Sequence, residues 1–400
     1  MSEPLGMFQR ERAKSAFRYA VYMSGPPIPF NRPGLMGGEL ARVTEALASG
    51  QISGCGALGR RCEEILSRVL GAPRTLLVTS CTHALEMAAL LLDVRPGDEV
   101  IVPSFTFVST VNAFVLRGAK PIFADVDRRT LGLDPAHVAS LLSSRTKVVV
   151  PVHYAGIACD MDGLSSAMTG HAATLVEDNA HGLFGKYKGQ SLGTFGAFST
   201  LSFHETKNLT CGEGGALVIN DLAFAERGEV VRDKGTQRAR FFRGEIDKYT
   251  WCDLGSSYVL SEVLAAILLA QLEAREAIAT KRRHLWTRYA AELADWAAKE
   301  GARLPFVPAY CEQPFHLFYV VMSSHERQQA LIAHLAERGI SAVFHYLPLH
   351  LSPMGLGYGG KPGDCPVTEM TSACLLRLPL FNGLTDEEQD RIIEGVLSFS

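Results

Sequence analysis

The sequence predicts an α/β protein built on a mainly parallel sheet, and three observations predict it. Short apolar runs at 75–79, 99–103, 121–124, 147–152 and 173–177 are continuous rather than alternating, as strands buried on both faces require. A helical pattern separates each run from the next, at 82–92, 107–116, 135–142 and 161–169. Glycine and proline punctuate the joints, as in Pro96-Gly97-Asp98 before the run that opens at Glu99.

Ahead of the first run lie an extended, turn-rich segment at 29–34, a short helix at 38–48, a glycine-rich stretch at 50–59 and a helix at 62–70. These glycines do not follow a strand, so they are not a dinucleotide fingerprint; a substrate-covering loop and a flexible connection are equally open readings. The alternation stops near Gly185. Two close strands then flank a loop from Ser202 to Gly215, and a helix follows at 222–234. From 261 to 296 the pattern is helical almost throughout, with an interruption expected at Lys281-Arg282-Arg283. A strand at 317–322, a helix at 326–338, a strand at 341–344 and a closing helix at 386–399 predict a smaller α+β unit. The expected organisation is an N-terminal extension at 1–25, a large domain at 26–265 and a small domain at 266–400.

Composition bounds the function. A chain of 400 residues is too long for one ordinary core, and 47% hydrophobic with 20% charged residues describes a soluble globular protein. A net charge of −3 gives no electrostatic reason to expect nucleic acid or an acidic membrane. Nine cysteines without a CxxC pair or zinc-like spacing fit a reducing cytoplasm. No apolar run approaches the length needed to cross a bilayer. The first 25 residues are mildly basic and amphipathic, and read as a flexible or partner-covering extension rather than a targeting signal.

The loop from Ser202 to Gly215 holds Lys207 at a sheet edge among hydroxyls and glycines. Upstream, Asp178 and His181 close a strongly apolar strand. A buried acid beside a pinned lysine is what a pyridoxal phosphate (PLP) site requires: an amine for the Schiff base and a partner for the pyridinium nitrogen. The link Thr79-Ser80-Cys81-Thr82 joins a strand to a helix N-terminus, which suits a phosphate, or a simple N-cap. Phe105 and Phe107 offer rings at the next strand end, as core or as a stacking surface. His153-Tyr154 and His345-Tyr346, with His350, fall at strand ends as polar hooks for a hydroxylated substrate or as structural histidines. No carboxylate or cysteine accompanies them at metal-ligand spacing. Gly212-Glu213-Gly214-Gly215 lacks the Lys-Ser/Thr ending of a nucleoside-triphosphate loop.

Segment 96–107, Glu177-Asp178, Tyr187-Lys188-Gly189, and Ser202-Phe203-His204 with Lys207 and Gly212-Glu213-Gly214-Gly215 together resemble the hallmark segments of the DegT/DnrJ/EryC1/StrS sugar aminotransferases. The resemblance runs from about residue 28 to the C-terminus. It implies a PLP-dependent enzyme of fold type I, with a mainly parallel seven-stranded sheet and a small C-terminal α+β domain. It further implies that Lys207 is the Schiff-base lysine, Asp178 the pyridinium partner, Phe107 the stacking ring and His181 a neighbour of the ring hydroxyl. Ser202, Cys81 and Thr82 would hold the phosphate. Family members are usually homodimers with shared sites; many carry Gly-x-Asn-x-Arg where this chain has Gly255-Ser256-Ser257-Tyr258-Val259. Ser257 therefore stands in place of the asparagine that contacts phosphate from the neighbouring subunit.

A narrower likeness is carried by Ser80-Cys81-Thr82, segments 152–156, 203–208, 248–251 and 344–350, and the Gly-Ser-Ser-Tyr variant itself. These are similar to the dTDP-4-oxo-6-deoxy-D-glucose transaminase branch. That likeness implies transfer of an amino group from L-glutamate to C4 of the dTDP-linked keto sugar, with the pyridoxamine form (PMP) between the two half-reactions. A galacto product is implied, with the gluco epimer next. Transfer at C3 and a non-catalytic PLP-binding regulator are the alternatives, while Lys207 argues against the family's dehydratases, in which a histidine replaces the lysine.

Overall fold

The computed structural model describes residues 26–400, so the expected extension at 1–25 lies outside the described residues. Five strands alternate with helices in the first half: β1 (Arg74–Val78), β2 (Glu99–Pro103), β3 (Lys120–Ala124), β4 (Thr146–Val149) and β5 (Thr174–Asp178). The short pair β6 (Lys186–Tyr187) and β7 (Gln190–Ser191) precedes β8 (Phe198–Ser202) and β9 (Gly215–Ile219). Seven of these make one sheet in the order β1-β9-β8-β5-β4-β2-β3. Only β9 runs antiparallel to its neighbours; β8, β5, β4, β2 and β3 pair in parallel.

Both faces of the sheet are covered, which is why the strands read as unbroken apolar runs. Leu76, Val102, Val148, Val176 and Leu217 pack on one face against the helix Cys81–Leu91 and Phe114. Leu77, Leu201, Ala216 and Val218 point the other way, toward the helices Ala57–Leu70 and Glu262–Glu273. At the β3 side, Ile101, Ala124 and Val149 meet Val138 and Leu164 of the helices Pro135–Leu141 and Met161–Ala167.

The second half completes the chain with β10 (Cys311–Glu312), β11 (Phe318–Val321), β12 (Val343–Phe344) and β13 (Leu375–Leu378). The last three form a separate antiparallel sheet in the order β11-β13-β12. Its central strand, β13, escaped the sequence reading because the helix Pro366–Cys374 runs straight into Leu375 with no breaker between them. Phe318, Val320, Leu376 and Leu378 pack with Trp286, Tyr289, Leu335 and Ile393 into a core of their own, and Ile28 joins that core rather than the large sheet. The boundary expected at 265/266 falls inside one continuous helix, Glu262–Glu273, whose buried Leu268, Leu269 and Leu272 all pack with the large sheet.

The expected break at Lys281-Arg282-Arg283 is absent. Breaks fall instead at Ala274 and Leu293, and the helix Arg275–Glu292 runs through the basic triplet. Ile278 packs in the large core and Leu285 in the small one, so this helix carries the chain between them. Arg282 is buried rather than solvated: Nε donates to Phe315 O (2.9 Å), Nη1 to Asn382 Oδ1 (3.0 Å) and Nη2 to His316 O. A guanidinium can enter a core when its donors are spent on fixed carbonyls.

The glycine-rich stretch proves to be a tie. Glu262 Oε1 accepts the N–H groups of Gly56 (2.9 Å) and Gly59 (3.0 Å), and Oε2 accepts that of Leu58 (2.9 Å). The carboxylate thus caps the start of the helix Ala57–Leu70 from another helix. A Cβ at Gly59 would sit 2.7 Å from Glu262 Oε1, and one at Gly54 2.2 Å from Leu260 O, so glycine is required for this approach. Neither substrate cover nor loose connection describes the stretch within the protomer. Glu262→Ala should leave three buried donors unpaired and cost about 2–4 kcal/mol; urea unfolding with a lowered midpoint and unchanged slope checks it.

Candidate active site

The carboxyl ends of β1, β5 and β8 lie on one side of the sheet, and a cavity of about 810 Å³ opens there. Ser80, Cys81, Thr82, Phe107, Asp178, His181, Ser202 and Lys207 line it from the large sheet. His316, His345, Tyr346 and Arg377 close it from the second half of the chain. The loop bearing Lys207 leaves the ends of two interior strands, so the lysine is not at a lateral sheet edge as expected but at the crevice where ligands of open α/β sheets bind.

Strand alternation sorts the adjacent acids Glu177 and Asp178. Glu177 points into the protein, where Oε1 accepts the N–H of Phe195 (2.7 Å) and Gly196 (2.9 Å) and Oε2 that of Gly193 (2.8 Å). Asp178 points into the cavity. Its Oδ2 accepts the Thr110 hydroxyl (2.7 Å) and its Oδ1 the Ala180 N–H (3.2 Å). Because the Thr110 proton goes to the carboxylate, the 2.8 Å contact between Thr106 and Thr110 has Thr106 as donor. Burial raises the Asp178 pKa, against the opposing pull of those two donors and of Lys207.

Lys207 is held by its own turn, its N–H donating to His204 O (2.9 Å). The next residue braces the loop across the cavity. Asn208 Nδ2 donates to Pro314 O (2.7 Å), and its Oδ1 meets His316 Nδ1 at 2.8 Å. A carbonyl only accepts, so this orients the amide and makes His316 a donor through Nδ1. Burial pulls the Lys207 amine down to about 8, although Cys81 and Asp178 favour its charged form, and the positive Arg377 adds to the fall. A lysine so placed has an accessible free-base form near neutral pH, as a carbonyl nucleophile needs.

Opposite Asp178 the cavity meets the start of the helix Cys81–Leu91. Ser80 Oγ caps the His83 N–H (3.1 Å), and the N–H groups of Cys81 and Thr82 have no partner among the described residues. The N-cap and anion-site readings are therefore compatible, one hydroxyl serving the cap while two amides face the cavity. A Cβ at Gly215 would lie 2.3 Å from Ser80 C and 2.4 Å from Cys81 N, so glycine lets β9 pass beneath this cradle. An acid at one end, hydroxyls and free amides at the other, and an amine between them fit PLP.

Of the two phenylalanines, Phe105 is core, 1% exposed, whereas the Phe107 ring is 56% exposed at the cavity. His181 stacks on His316 at 4.3 Å, with Nδ1 accepting the Ala155 N–H (3.3 Å), and burial keeps it neutral. His345 and Tyr346 reach the cavity; His153, Tyr154 and His350 do not. His153 is fully buried, with Nδ1 accepting the Cys159 N–H (3.2 Å) and Nε2 donating to Glu177 (3.0 Å). Tyr154 belongs to the apolar cluster with Phe105, Leu317 and Tyr319 that joins the two halves, its hydroxyl bonded to His345 Nδ1 (3.0 Å). His350 ties Ser104 (2.6 Å) to Glu369 (3.0 Å). These three correct the expectation of substrate hooks. Ser257 is exposed, bridges Asp233, and stands off the cavity of its own protomer.

Sequence reading missed Thr110, His316 and Arg377. Thr110 lies one helical turn from Phe107 with no motif to mark it, and Arg377 lies in the unanticipated β13.

The Lys207 environment has a measurable consequence. In cofactor-free protein, modification of Lys207 by an amine-selective reagent should rise with pH and level off above about 8. Exposed lysines should keep rising toward about 10.4. Peptide mass spectrometry separates the profiles, and a Lys207 curve superimposed on the surface lysines contradicts the assignment.

Comparison with known proteins identifies the family. The model of the DegT/DnrJ/EryC1/StrS aminotransferase family matches residues 35–397. The spore coat polysaccharide biosynthesis protein SpsC of Bacillus subtilis is 31% identical over 377 residues, 92% of this chain and 96% of its own. The aminotransferase TlmJ of Streptoalloteichus hindustanus superimposes with a TM-score of 0.84 at 32% identity, covering 92% of this chain and 97% of its own. The Streptococcus pneumoniae protein Spr1654, solved in PLP- and PMP-forms, gives a TM-score of 0.86 for the PMP-form at 28% identity, covering 93% and 98%. With family model and fold in agreement, the chain belongs to the DegT/DnrJ/EryC1/StrS aminotransferase family and is a PLP-dependent sugar aminotransferase.

Proposed function

We propose that the enzyme transfers the amino group of L-glutamate to C4 of dTDP-4-keto-6-deoxy-D-glucose, giving a dTDP-4-amino-4,6-dideoxyhexose with galacto configuration. The observation that carries the reading is Lys207 and Asp178 facing one large cavity together with a helix-start cradle. The choice of sugar and of C4 rests on the segments shared with the dTDP-4-oxo-6-deoxy-D-glucose transaminase branch, Phe203 to Asn208 above all. The name of SpsC supports a role in polysaccharide assembly.

When bound, PLP supplies the electron sink that stabilises negative charge at the reacting carbon and holds the amino group between half-reactions. Asp178, held by Thr110 and Ala180, keeps a negative charge at the pyridinium end of the site. Thr82, Ser202 and the free amides at Cys81 and Thr82 would hold the cofactor's phosphate, and the Phe107 ring would offer it a stacking surface. Lys207 Nζ takes the proton from Cα of glutamate and later returns a proton to C4 of the sugar. His181, kept neutral by burial, would stand near the ring hydroxyl, and His345 and Tyr346, which line the cavity, would meet the sugar hydroxyls.

Large exposed apolar side chains support a homodimer: Leu40, Leu116, Leu254 and the 74% exposed Trp251 are candidates for cover by a second copy. By the family resemblance, the exposed Ser257 would then stand toward the partner's phosphate site. All nine cysteines are unpaired, in keeping with a reducing cytoplasm, and no described helix is long and apolar enough to cross a membrane.

Two measurements test the reading. Lys207→Ala should lose the absorbance of lysine-linked cofactor and lower turnover by at least about a hundredfold; full activity overturns the assignment. NMR of the product from dTDP-4-keto-6-deoxyglucose and glutamate should place the nitrogen on C4 in the axial, galacto orientation. A C3-keto isomer turned over in preference would replace the C4 assignment.

A further inference from the structure

Asn208 follows Lys207 directly but does not line the cavity, so it can act there only through other groups. Its hydrogen bonds close a circuit through separated segments of the chain. Oδ1 accepts from His316 Nδ1 (2.8 Å), and His316 O accepts from Arg282 Nη2. Arg282 Nη1 donates to Asn382 Oδ1 (3.0 Å), and Asn382 Nδ2 returns to Asn208 O (2.9 Å). The circuit ties the Lys207 loop to the turn before β11, to the helix Arg275–Glu292 and to the turn after β13. Phe315 marks a constrained place in it: a bulky residue at φ 56°, its carbonyl held by Arg282 Nε at 2.9 Å. Left-handed backbone is costly for a large side chain and persists only where the surroundings impose it.

The circuit also fixes a proton. Asn208 Nδ2 is spent on Pro314 O (2.7 Å), so the atom facing His316 is the amide oxygen, which only accepts. His316 therefore carries its proton on Nδ1. His181, stacked on it at 4.3 Å, accepts the Ala155 N–H (3.3 Å) through Nδ1, so its proton is on Nε2. Neighbouring imidazoles thus hold opposite tautomers, each set by a bond to the protein. His316 stands against His181, Lys207, Arg282 and Arg377, and burial together with these cations keeps it neutral. A charged His316 would be one more cation beside Lys207, which has to pass between amine and ammonium as it moves a proton. We propose that Asn208 is a positioning residue: by tying its own loop to the second half of the chain and fixing the proton of His316 on Nδ1, it holds the Lys207 amine in place for both proton transfers. This rests on the reading of Lys207 above as the reacting amine, and not on the choice of sugar.

The test begins with cofactor-free protein. With 15N-labelled histidine, NMR should find His316 protonated on Nδ1 and His181 on Nε2; Asn208→Ala should spread the His316 proton over both nitrogens and leave His181 unchanged. In the pH profile of Lys207 modification, Asn208→Ala should move the midpoint from about 8 upward by at least about one unit, toward the ordinary lysine value of about 10.4, with surface lysines unmoved. His316→Phe keeps a ring against His181 and removes the donor, so it should shift the midpoint the same way, and the double variant should go no further than the larger single shift. In the holoenzyme, Asn208→Ala should slow both half-reactions at saturation at least about tenfold, while the apparent affinities for glutamate and keto sugar stay within about threefold. Asn208→Ser, one bond shorter, serves if the alanine variant does not fold. A wild-type His316 protonated on Nε2 overturns the proposal. So do additive shifts in the double variant, or a Lys207 midpoint that stays put while the urea midpoint falls, which is a structural brace only. Failure of the Lys207→Ala prediction would instead overturn the reading of Lys207 itself, and is measured independently of every Asn208 variant.

Discussion

The active site depends on one strand pairing. β5 runs parallel to β8 with Asp178 opposite Thr200, which sets the acid beside the strand end that leads through Ser202 to Lys207. Side chains alternate along β5, so a slip of one residue would turn Asp178 into the protein and Glu177 into the cavity. Glu177 prevents the slip. Its carboxylate is spent on three backbone N–H groups of the 193–196 turn and on His153, an arrangement no neighbouring residue could reproduce. The residue that performs no chemistry is thus the one that holds the reactive acid in register.

The same logic recurs at two charges buried outside the cavity. Glu262 caps a helix start that side chains of its own turn do not cap, and Arg282 gathers carbonyls from the turns before β11 and after β13. Arg282 accepts from nothing and donates to His316 O, so it also steadies the backbone of the histidine that braces Asn208. Stability and site geometry are coupled through these few fully satisfied groups rather than through many surface ion pairs, whose individual worth is small. Arg377, in the cavity wall, differs in having a buried Nε with no partner among the described residues.

Between the large sheet and the small one lies an apolar seam of Phe105, Tyr154, Leu317 and Tyr319. The seam fixes how the wall carrying His316, His345 and Arg377 faces Lys207. It also explains why two neighbours in a motif part company: His153 and Tyr154 follow β4, but one closes the Glu177 network and the other fills the seam.

Local signals in the sequence sufficed for the alternation of β1 to β5 with helices, because strands buried on both faces must be continuously apolar and their joints must turn. They also singled out Lys207, Asp178 and the helix start at Cys81, which the structure brings to one cavity. Tertiary structure alone decided which polar residues face the cavity. His153 and His350 read like His181 and His345 in sequence, yet two are sealed behind partners and two line the site, since burial depends on what packs above a strand end. Only packing, likewise, placed Thr110 under Asp178, buried Arg282 in a run that looked solvated, and put β13 at the centre of the small sheet. The loop that began as a lysine among glycines owes its reactivity to that enclosure: sequence supplied the amine, and burial lowers its pKa to about 8.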